Sequence, residues 1–467
     1  MNKPNFLIIM SDEHSAQYSS VYGHPIIKTP NMDKIAKQGM TFINNVCNSP
    51  LCVPSRASFM TGQYVSNNEI WDNTKPMPSD KITWPYILRN NGYEAVLSGK
   101  MHLIGQDNLH GFERNLSYDP HIDEPLPHYS WEEGITKSKQ PWNHIDEAGM
   151  GTSPMIEADN KIEKESLSFL SDKNRHNNPF ALCVGFIAPH FPFKVPEKYF
   201  NQYFPDNILM PDTPKEHLSQ LSNHTNRLRE MFGLDYDWDE IQIRKSIAAY
   251  YGLCTFLDEK IGNLINALKN NNLFDNTIII YTSDHGDMLG EHGLWRKMSF
   301  YDQSVRVPLQ ILGPKFITGK IDKPVSNLDI FPTILDAANI DLEQYEYDGQ
   351  SLINALTNKD EDYLNDYVIS EYFAHGTENP IGMVQKNEWK LIYEHGESPK
   401  VELFNIKNDP KEYYNLSEKP LNKKIIKELS DKLINLWGDP EKLRKKIIYD
   451  QNSRKTIRKL TGPGTLF

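Results

Sequence analysis

Residues 48–58 of the chain have the sequence Asn48-Ser49-Pro50-Leu51-Cys52-Val53-Pro54-Ser55-Arg56-Ala57-Ser58, and Gly62 follows shortly after. This stretch predicts a helix from Ser55 to Thr61, because proline suits a first helical turn and glycine commonly follows a helix end. Cys52 would lie at the helix entrance, where unpaired backbone N–H groups favour negative charge, and Arg56 would add a cation on the same side. The stretch therefore predicts an anion site that contains a potential nucleophile. The simpler interpretation is a buried cysteine before an ordinary helix.

Two apolar runs far apart in the chain each end in charged or imidazole side chains. These are residues 5–10 followed by Asp12 and Glu13, and residues 277–281 followed by Asp284 and His285. Unbroken apolar runs are typical of strands buried on both faces of a parallel sheet, and open α/β proteins bind ligands at the carboxyl edge of that sheet. Close carboxylates need a cation between them, and oxygen ligands suit calcium or magnesium. Either cluster alone fits a solvated turn, but the two together with Cys52 predict a metal site.

Further polar residues follow two other predicted strands. Lys100 and His102 come just after residues 94–97, and His190 follows residues 180–186 between two prolines. For an isolated motif, a solvated loop is the simpler interpretation of the Lys-x-His pair, and a packed loop histidine that of His190. At the carboxyl edge of one sheet, however, all three would face the same cleft, and a stiffly held histidine can act as a general acid.

The remaining pattern predicts an α/β fold with a second, smaller unit. Helices are predicted over residues 29–39, 84–91, 156–171 and 243–270, the last with Asp258 and Lys260 on its polar face, and a further strand over residues 305–311. We expect a catalytic domain over residues 1–365, built on a large, mixed, mostly parallel sheet flanked by helices. Residues 116–151 predict long loops, and residues 194–242 an insertion with short helices.

From about residue 365 the pattern changes to short alternating strands, followed by a helix over residues 421–437. We therefore expect a C-terminal subdomain over residues 366–467, with an antiparallel sheet, a helix and a basic tail. The simplest interpretation of the basic segment 441–459 is a solvated helix.

Composition excludes several classes of protein. The chain has 467 residues and a formal net charge of −12, which argues against nucleic-acid binding. Its four cysteines do not make a disulfide framework, and no apolar run has the roughly 18–20 residues of a membrane span. Met1-Asn2-Lys3-Pro4 leads directly into the first predicted strand. We therefore expect a cytoplasmic protein if residue 1 is the native start, and a periplasmic one if a leader was removed.

The motif Cys52-Val53-Pro54-Ser55-Arg56, followed by Ala57-Ser58 and Thr61-Gly62, resembles the signature of the formylglycine-dependent (type I) sulfatases of the alkaline phosphatase superfamily. The resemblance implies an alkaline-phosphatase-like fold and a Ca²⁺ cofactor, with Mg²⁺ as an alternative. It also implies that a formylglycine-generating enzyme converts Cys52 to formylglycine (3-oxoalanine). The metal ligands would be Asp12, Glu13, the formylglycine at Cys52, Asp284 and His285. Two positions depart from the common pattern, since Glu13 stands where Asp is usual and His285 where Asn is frequent.

The same resemblance implies roles for further residues. The catalytic group would be Cys52, Arg56, His102 and His190, and the substrate-binding group Lys100, Lys297 and Asn73. In this scheme His190 protonates the departing alcohol, His102 hydrogen-bonds the formylglycine, and the cations offset charge on the sulfo oxygens. Residues 102–113 are more similar to choline sulfatases than to arylsulfatases. Choline sulfatase tails pack on a neighbouring subunit, which implies a possible homo-oligomer through the C-terminal tail.

We therefore expect hydrolysis of a sulfate monoester of a small organic alcohol or sugar, giving the alcohol and inorganic sulfate. The alternatives are a choline sulfatase specifically, a phosphate or phosphonate monoester hydrolase of the same superfamily, and a non-catalytic anion-binding module whose Cys52 is never oxidised. No membrane or nucleic-acid partner is expected.

Overall fold

The computed structural model describes residues 3–121, 130–135, 137, 144–358 and 360–461. Within them the strands are β1 (Asn5–Asp12), β2 (Met40–Phe42), β3 (Asn45–Val46), β4 (Glu94–Gly99), β5 (Arg114–Asn115), β6 (Gly149–Met150), β7 (Phe180–Pro189), β8 (Lys194–Val195), β9 (Thr277–Ser283), β10 (Leu309–Leu312), β11 (Gly319–Ile321), β12 (Val325–Ser326), β13 (Tyr367–Tyr372), β14 (Ile381–Lys386), β15 (Trp389–Glu394) and β16 (Lys400–Asn405). The α-helices are α1 (Pro30–Gln38), α2 (Cys52–Thr61), α3 (Val65–Asn68), α4 (Trp84–Asn90), α5 (Pro154–Leu170), α6 (Glu197–Phe200), α7 (Lys215–Leu218), α8 (Asn223–Phe232), α9 (Glu240–Asn270), α10 (Asp302–Val305), α11 (Ile330–Ala337), α12 (Ile353–Asn358), α13 (Lys423–Trp437) and α14 (Pro440–Thr461).

The main sheet brings together the two predicted acidic edges. Its strand order is β11-β2-β10-β9-β1-β7-β4-β5. Strand β1 pairs in parallel with β9 on one side and with β7 on the other, whereas β10 runs antiparallel to β9 and β2. The sheet is therefore mixed and mostly parallel, as predicted. Ser11 lies opposite Ser283 in the β1–β9 pair. The residues that follow them, Asp12 and Asp284, therefore lie next to each other at the edge of the sheet.

Side chains of β1 alternate between two hydrophobic cores, one on each face of the sheet. Leu7 and Ile9 pack with residues of α1, α5 and α9. Phe6, Ile8 and Met10 pack with residues of α2, α4 and α11 on the other face. All five side chains are fully buried, and each contributes roughly 1.5–3 kcal/mol of burial free energy. Burial on both faces explains why this strand has no alternating polar residues.

The C-terminal unit is a four-stranded antiparallel sheet in the order β13-β14-β15-β16, covered by α13. Its core includes Leu391, Leu403 and Trp437, together with Trp71 and Trp131 from earlier in the chain. The predicted architecture is thus confirmed. The division into domains at residues 365 and 366 stays a prediction.

Three predictions about single helices and strands were wrong. Helix α2 begins at Cys52 rather than at Ser55. The predicted strand over residues 305–311 begins only at Leu309, because residues 302–305 form α10. Asp258 and Lys260 of α9 are buried rather than on a polar face. Asp258 accepts hydrogen bonds from backbone N–H groups at the start of α1, and Lys260 pairs with a glutamate of α5, since α9 lies between these helices.

The basic C-terminal helix α14 is not simply solvated. Ile447 and Gln451 are buried, and the Gln451 side chain accepts a hydrogen bond from Trp131 N at 3.0 Å. The helix therefore packs on its own chain. In the predicted loop region, residues 122–129, 136 and 138–143 lie outside the described residues. A search of the described helices finds none that combines the length and apolar character of a bilayer span.

Candidate active site

The ends of β1 and β9 meet the first residue of α2 at one buried point. Cys52 Sγ lies 3.2 Å from His285 Nε2. The same nitrogen lies 3.6 Å from Asp12 Oδ1 and 3.6 Å from Asp284 Oδ1. All four side chains are at most 2% exposed. The structure thus brings together four of the five predicted metal ligands, which come from three elements remote in sequence.

Asn73 holds the beginning of α2. The N-cap residue Leu51 offers no side-chain cap, and Asn73 Oδ1 instead accepts a hydrogen bond from Val53 N at 3.0 Å. Ser55 Oγ donates to the Asp284 carbonyl oxygen at 2.6 Å, which ties the first turn of α2 to the end of β9. Because a helix start otherwise exposes unpaired N–H groups, these contacts fix Cys52 where the strands end.

Arg56 braces the acidic residues. Its Nε donates to Asp284 Oδ2 at 2.8 Å, and its Nη1 donates to the Lys100 carbonyl oxygen at 2.9 Å. A second terminal nitrogen lies 3.4 Å from Asp12 Oδ2. Burial alone would lower the pKa of Arg56, but the two aspartates raise it above its ordinary value. Arg56 is therefore a fixed, fully buried cation beneath the site.

Lys100 forms a second buried pair with Asp12 through Nζ and Oδ2. The loop after β4 can approach β7 only because position 185 is glycine, where a Cβ would lie 1.8 Å from the Lys100 carbonyl oxygen. Burial disfavours the charged form of Asp12, but Lys100, His190 and Arg56 hold its pKa well below the usual range. Asp12 is therefore ionised at neutral pH.

The arrangement fits a hard divalent cation. Asp12 Oδ1 and both Glu13 carboxylate oxygens accept no hydrogen bond from any described residue. His285 Nδ1 lies 3.2 Å from the Gly286 carbonyl oxygen, so an N–H at that atom leaves the Nε2 lone pair facing Cys52 and the aspartates. Burial lowers the pKa of His285, which favours this neutral, ligating form. Asp12, Cys52, Asp284 and His285 each offer a ligand atom within 4.8 Å of the others.

Glu13 lies on the other side of Asp12, in a second group that includes His190. Its backbone has a φ of 68°, a conformation uncommon for a residue with a Cβ. Tyr250 Oη stabilises this conformation by donating to the Glu13 carbonyl oxygen at 2.6 Å. Burial raises the pKa of the Glu13 carboxyl to about 8. The role of Glu13 as a metal ligand stays a prediction.

His190 and Lys297 form a pair above Glu13. Lys297 Nζ lies 2.9 Å from His190 Nε2 and 3.4 Å from Glu13 Oε1. His190 Nδ1 lies 2.7 Å from the Phe191 carbonyl oxygen. Burial, followed by Lys297, lowers the pKa of His190 well below its ordinary value. Both ring nitrogens of His190 are therefore engaged.

A cavity of about 480 Å³ opens directly outside Cys52. Four other predicted site residues line it, namely Asn73, His102, His190 and Lys297. The wall also contains the aromatic side chains Phe191 and Phe232. Arg56 and Lys100 are fully buried and lie behind this lining. Cys52 is itself 2% exposed and lines this cavity.

An unmodified thiol at this point is a poor nucleophile. Burial and the Asp12 carboxylate raise the pKa of Cys52 to about 11, although Lys297 and Lys100 oppose the shift. Since the thiolate is the reactive form of cysteine, the side chain stays protonated and unreactive near neutral pH.

Sequence reasoning missed one pair in the cavity wall. Asp119 is buried, and its Oδ2 accepts hydrogen bonds from Met101 N at 3.1 Å and His102 N at 2.8 Å. Its Oδ1 lies 3.4 Å from His121 Nδ1. An Asp-x-His spacing in a loop-rich stretch was the only available signal, and such spacing is common in ordinary loops.

Several known proteins are similar to this chain over most of its length. The sulfatase family model matches residues 4–340, and a model of the C-terminal part of N-sulphoglucosamine sulphohydrolase matches residues 290–439. A choline-sulfatase of Rhizobium meliloti is 35% identical over 90% of this chain and 83% of its own length. An N-acetylglucosamine-6-O-sulfatase of Bacteroides thetaiotaomicron is 29% identical over 91% and 85%, respectively. Among solved structures, a phosphonate monoester hydrolase of Agrobacterium radiobacter is similar with a TM-score of 0.76 and 23% identity, covering 93% of this chain and 95% of its own.

Proposed function

Since this chain belongs to the sulfatase family and is a sulfuric ester hydrolase, we propose that it cleaves its substrate at the Cys52 end of the cavity. The substrate is a sulfate monoester, and the products are an alcohol and inorganic sulfate. The observation that supports this placement is the meeting of Cys52 with Asp12, Asp284 and His285 beneath a cavity that Lys297 and His190 also line.

Two groups would complete the site. A calcium ion, or magnesium, held by Asp12, Asp284 and His285 with residue 52 and Glu13, would supply positive charge that polarises a sulfo group. Formylglycine formed from Cys52 by a formylglycine-generating enzyme would supply a hydroxyl nucleophile. Sulfatases typically use both groups, and the buried acceptors at this site fit them.

The chain's own residues would prepare the reaction. Lys297 and Lys100 would offset charge on the sulfo oxygens, and Arg56 would hold the aspartates in place. His102 would hydrogen-bond residue 52, and His190 would protonate the departing alcohol. Asn73 would contact the sulfo group with its amide nitrogen while its Oδ1 holds the start of α2.

Mass analysis of the peptide that contains residue 52, combined with sulfate release, tests the proposal. We expect formylglycine in active protein, and a loss of about 10³-fold or more in turnover for Cys52→Ala. Cys254→Ala is the matched control, because Cys254 is equally buried in α9 and lies outside the cavity lining. An active preparation with a fully unmodified thiol at position 52 contradicts the proposal. Faster turnover of matched phosphate or phosphonate esters would favour the alternative reaction.

The substrate is a small sulfated alcohol or sugar. Choline sulfate is the first compound to assay, because the chain is similar over most of its length to a choline-sulfatase. N-acetylglucosamine-6-sulfate is the second, for the corresponding reason. Sulfate release from the two compounds under identical conditions distinguishes them. A homo-oligomer through the C-terminal tail stays a prediction, which light scattering would check.

A further inference from the structure

His121 lies in the cavity wall, and one of its ring nitrogens has no hydrogen-bond partner within the described part of the chain. The side chain is 4% exposed and lines the cavity. Its Nδ1 lies 3.4 Å from Asp119 Oδ1, and its backbone N–H donates to the same oxygen at 3.0 Å. Among the described residues, His121 Nε2 has no hydrogen-bond partner. Because a buried polar atom without a partner destabilises a fold, a nitrogen held in this way indicates contact with a ligand.

His121 lies between His102 and His190, which both have roles in the proposed reaction. Its ring centroid lies 5.3 Å from that of His102 and 5.7 Å from that of His190, the second in an edge-to-face arrangement. A substrate whose sulfo group reaches Cys52 and whose leaving oxygen reaches His190 therefore passes beside His121.

His190 and His121 differ in the contacts that their ring nitrogens make. His190 contacts the Phe191 carbonyl oxygen through one nitrogen, and Lys297 and Glu13 through the other. Among the described residues, His121 makes its polar side-chain contact with Asp119 through Nδ1, and its Nε2 accepts or donates no hydrogen bond. Of the two imidazoles, His121 is thus the one with a nitrogen available for a new hydrogen bond.

Asp119 gives His121 the orientation that a general acid needs. Burial disfavours the charge on Asp119, but the neighbouring His121 imidazole holds the pKa of the carboxyl well below the usual range. A carboxylate beside Nδ1 orients the ring, as in acid–base pairs of enzymes, and leaves Nε2 for a ligand. Asp119 also accepts hydrogen bonds from Met101 N and His102 N, so the pair is held rigidly.

We propose that His121 is a further catalytic residue that shares with His190 the protonation of the leaving alcohol; this inference rests on the proposed function. As the bond between sulfur and the leaving oxygen breaks, its electron pair stays on that oxygen, which takes the proton from His121 Nε2. The neutral imidazole regains a proton from solvent water when the cavity empties. No oxidant, reductant or further reactant is needed.

The experiment compares His121→Gln with the wild-type enzyme on 4-nitrophenyl sulfate and phenyl sulfate. Glutamine keeps a hydrogen-bonding group but cannot transfer a proton. The 4-nitrophenolate leaves readily without protonation, whereas phenolate needs a proton. We expect kcat/KM to fall about 10²-fold or more on phenyl sulfate and less than about tenfold on 4-nitrophenyl sulfate. Asp119→Asn is not informative, because Asp119 also holds the backbone at His102.

His110→Gln is the matched control. His110 is also a fully buried histidine beside an aspartate, with 3.6 Å between its Nδ1 and Asp107 Oδ2, but it lies outside the cavity lining. We expect its change to affect both substrates equally or not at all. A second variant, His121→Ala, should regain part of its activity on phenyl sulfate when imidazole is added, a rescue that a purely structural role would not give.

The results distinguish failure of the role proposed for His121 from failure of the proposed function. A loss of equal size on both substrates for His121→Gln, or no rescue of His121→Ala by imidazole in folded protein, overturns the catalytic role of His121 and leaves the proposed function intact. Failure of the wild-type enzyme to release sulfate from any ester overturns the proposed function and the inference together.

Discussion

At the scale of single residues, the site contains three acidic and three basic side chains. The acids are Asp12, Asp284 and Glu13, whose pKa is raised to about 8, and the bases are Arg56, Lys100 and Lys297. Arg56 pairs with Asp284 at 2.8 Å and with Asp12 at 3.4 Å. Lys297 pairs with Glu13 at 3.4 Å. Paired in this way, the cations have little charge left for a sulfate ester. A divalent cation would supply that charge, because it would engage the carboxylates and release the lysines.

Removal of the metal is therefore expected to lower both activity and stability. In protein treated with a chelator, added Ca²⁺ at 100 times its Kd should stabilise the fold by about 2.7 kcal/mol. The physical reason is that ligand oxygens without hydrogen-bond partners, such as Asp12 Oδ1, are buried whether or not the ion is present. Thermal unfolding with and without Ca²⁺ measures the effect.

Asp284→Asn should remove the Ca²⁺-dependent shift, whereas Asp206→Asn, at an exposed position, should keep it. An identical Tm for chelated and Ca²⁺-loaded wild-type protein would refute the metal site.

At the scale of elements, helix α14 fixes the loop that caps α2. Arg454 makes paired contacts with Asp72, with 3.0 Å from Nη1 to Oδ1 and 2.7 Å from Nη2 to Oδ2. Asp72 Oδ1 in turn accepts a hydrogen bond from Thr74 N at 2.8 Å. The neighbouring Asn73 accepts from Val53 N, one residue after Cys52. The last helix of the chain is thus connected to the start of α2, next to Cys52, through a series of buried and partly buried contacts.

Arg454→Met should destabilise the protein by about 3–5 kcal/mol, the usual result of leaving one member of a buried ion pair unpaired. It should also lower kcat/KM, since Asn73 loses its support. Lys445→Met on the solvent side of α14 is the control; its only described ion pair is a 3.8 Å contact within the helix. Chemical denaturation and turnover measure both effects, and equal behaviour of the two variants would contradict this account of α14.

The same pair predicts a dependence of stability on pH. Burial disfavours the charge on Asp72, but Arg454 lowers its pKa to about 2 from an ordinary value of 3.8. The unfolded chain therefore binds the proton first as the pH falls. The contribution of the pair is fully present above about pH 4 and is lost as the pH falls toward about 2. Unfolding of Asp72→Asn should lack this part of the acid dependence.

At the scale of the whole molecule, one buried lysine joins the C-terminal sheet to the catalytic part. Lys390 of β15 is fully buried, and its Nζ lies 2.5 Å from Asp302 Oδ1 and 2.5 Å from Glu412 Oε1. Asp302 begins α10, directly before the strand β10 of the main sheet. The two units are therefore connected by charge as well as by their shared hydrophobic core.

Lys390→Met should destabilise the protein by about 3–5 kcal/mol, because it leaves the buried Glu412 carboxyl without a cation. Asp302 keeps its pair with Arg306 at 2.9 Å. Lys386→Met on the adjacent strand is the matched control. Lys386 is a partly exposed lysine, and it likewise pairs with two acids, Asp366 and Glu428; such pairs contribute about 0–1 kcal/mol. A comparison of free energies of unfolding in denaturant checks the prediction. A loss at Lys390 no larger than at Lys386 would show that the connection does not depend on this cluster.

Sequence alone determined the elements whose local pattern is unambiguous. The apolar runs of β1 and β9 are buried on both faces, and an unbroken apolar run of this length predicts such a strand in a parallel sheet. The residues that follow them were therefore correctly expected at one sheet edge, together with Cys52, His102 and His190. Gly62 also placed the end of α2 at Thr61, because backbone constraints act locally.

Only the tertiary structure decided which long-range partners each polar side chain meets. Asp258 and Lys260 looked solvated because helix periodicity does not show that α1 and α5 cover α9. Arg454 meets Asp72 across 382 positions of chain, and His121 lines the cavity beside Asp119. A local pattern predicts backbone conformation, whereas the burial and the partners of polar side chains depend on contacts that form only when distant segments pack.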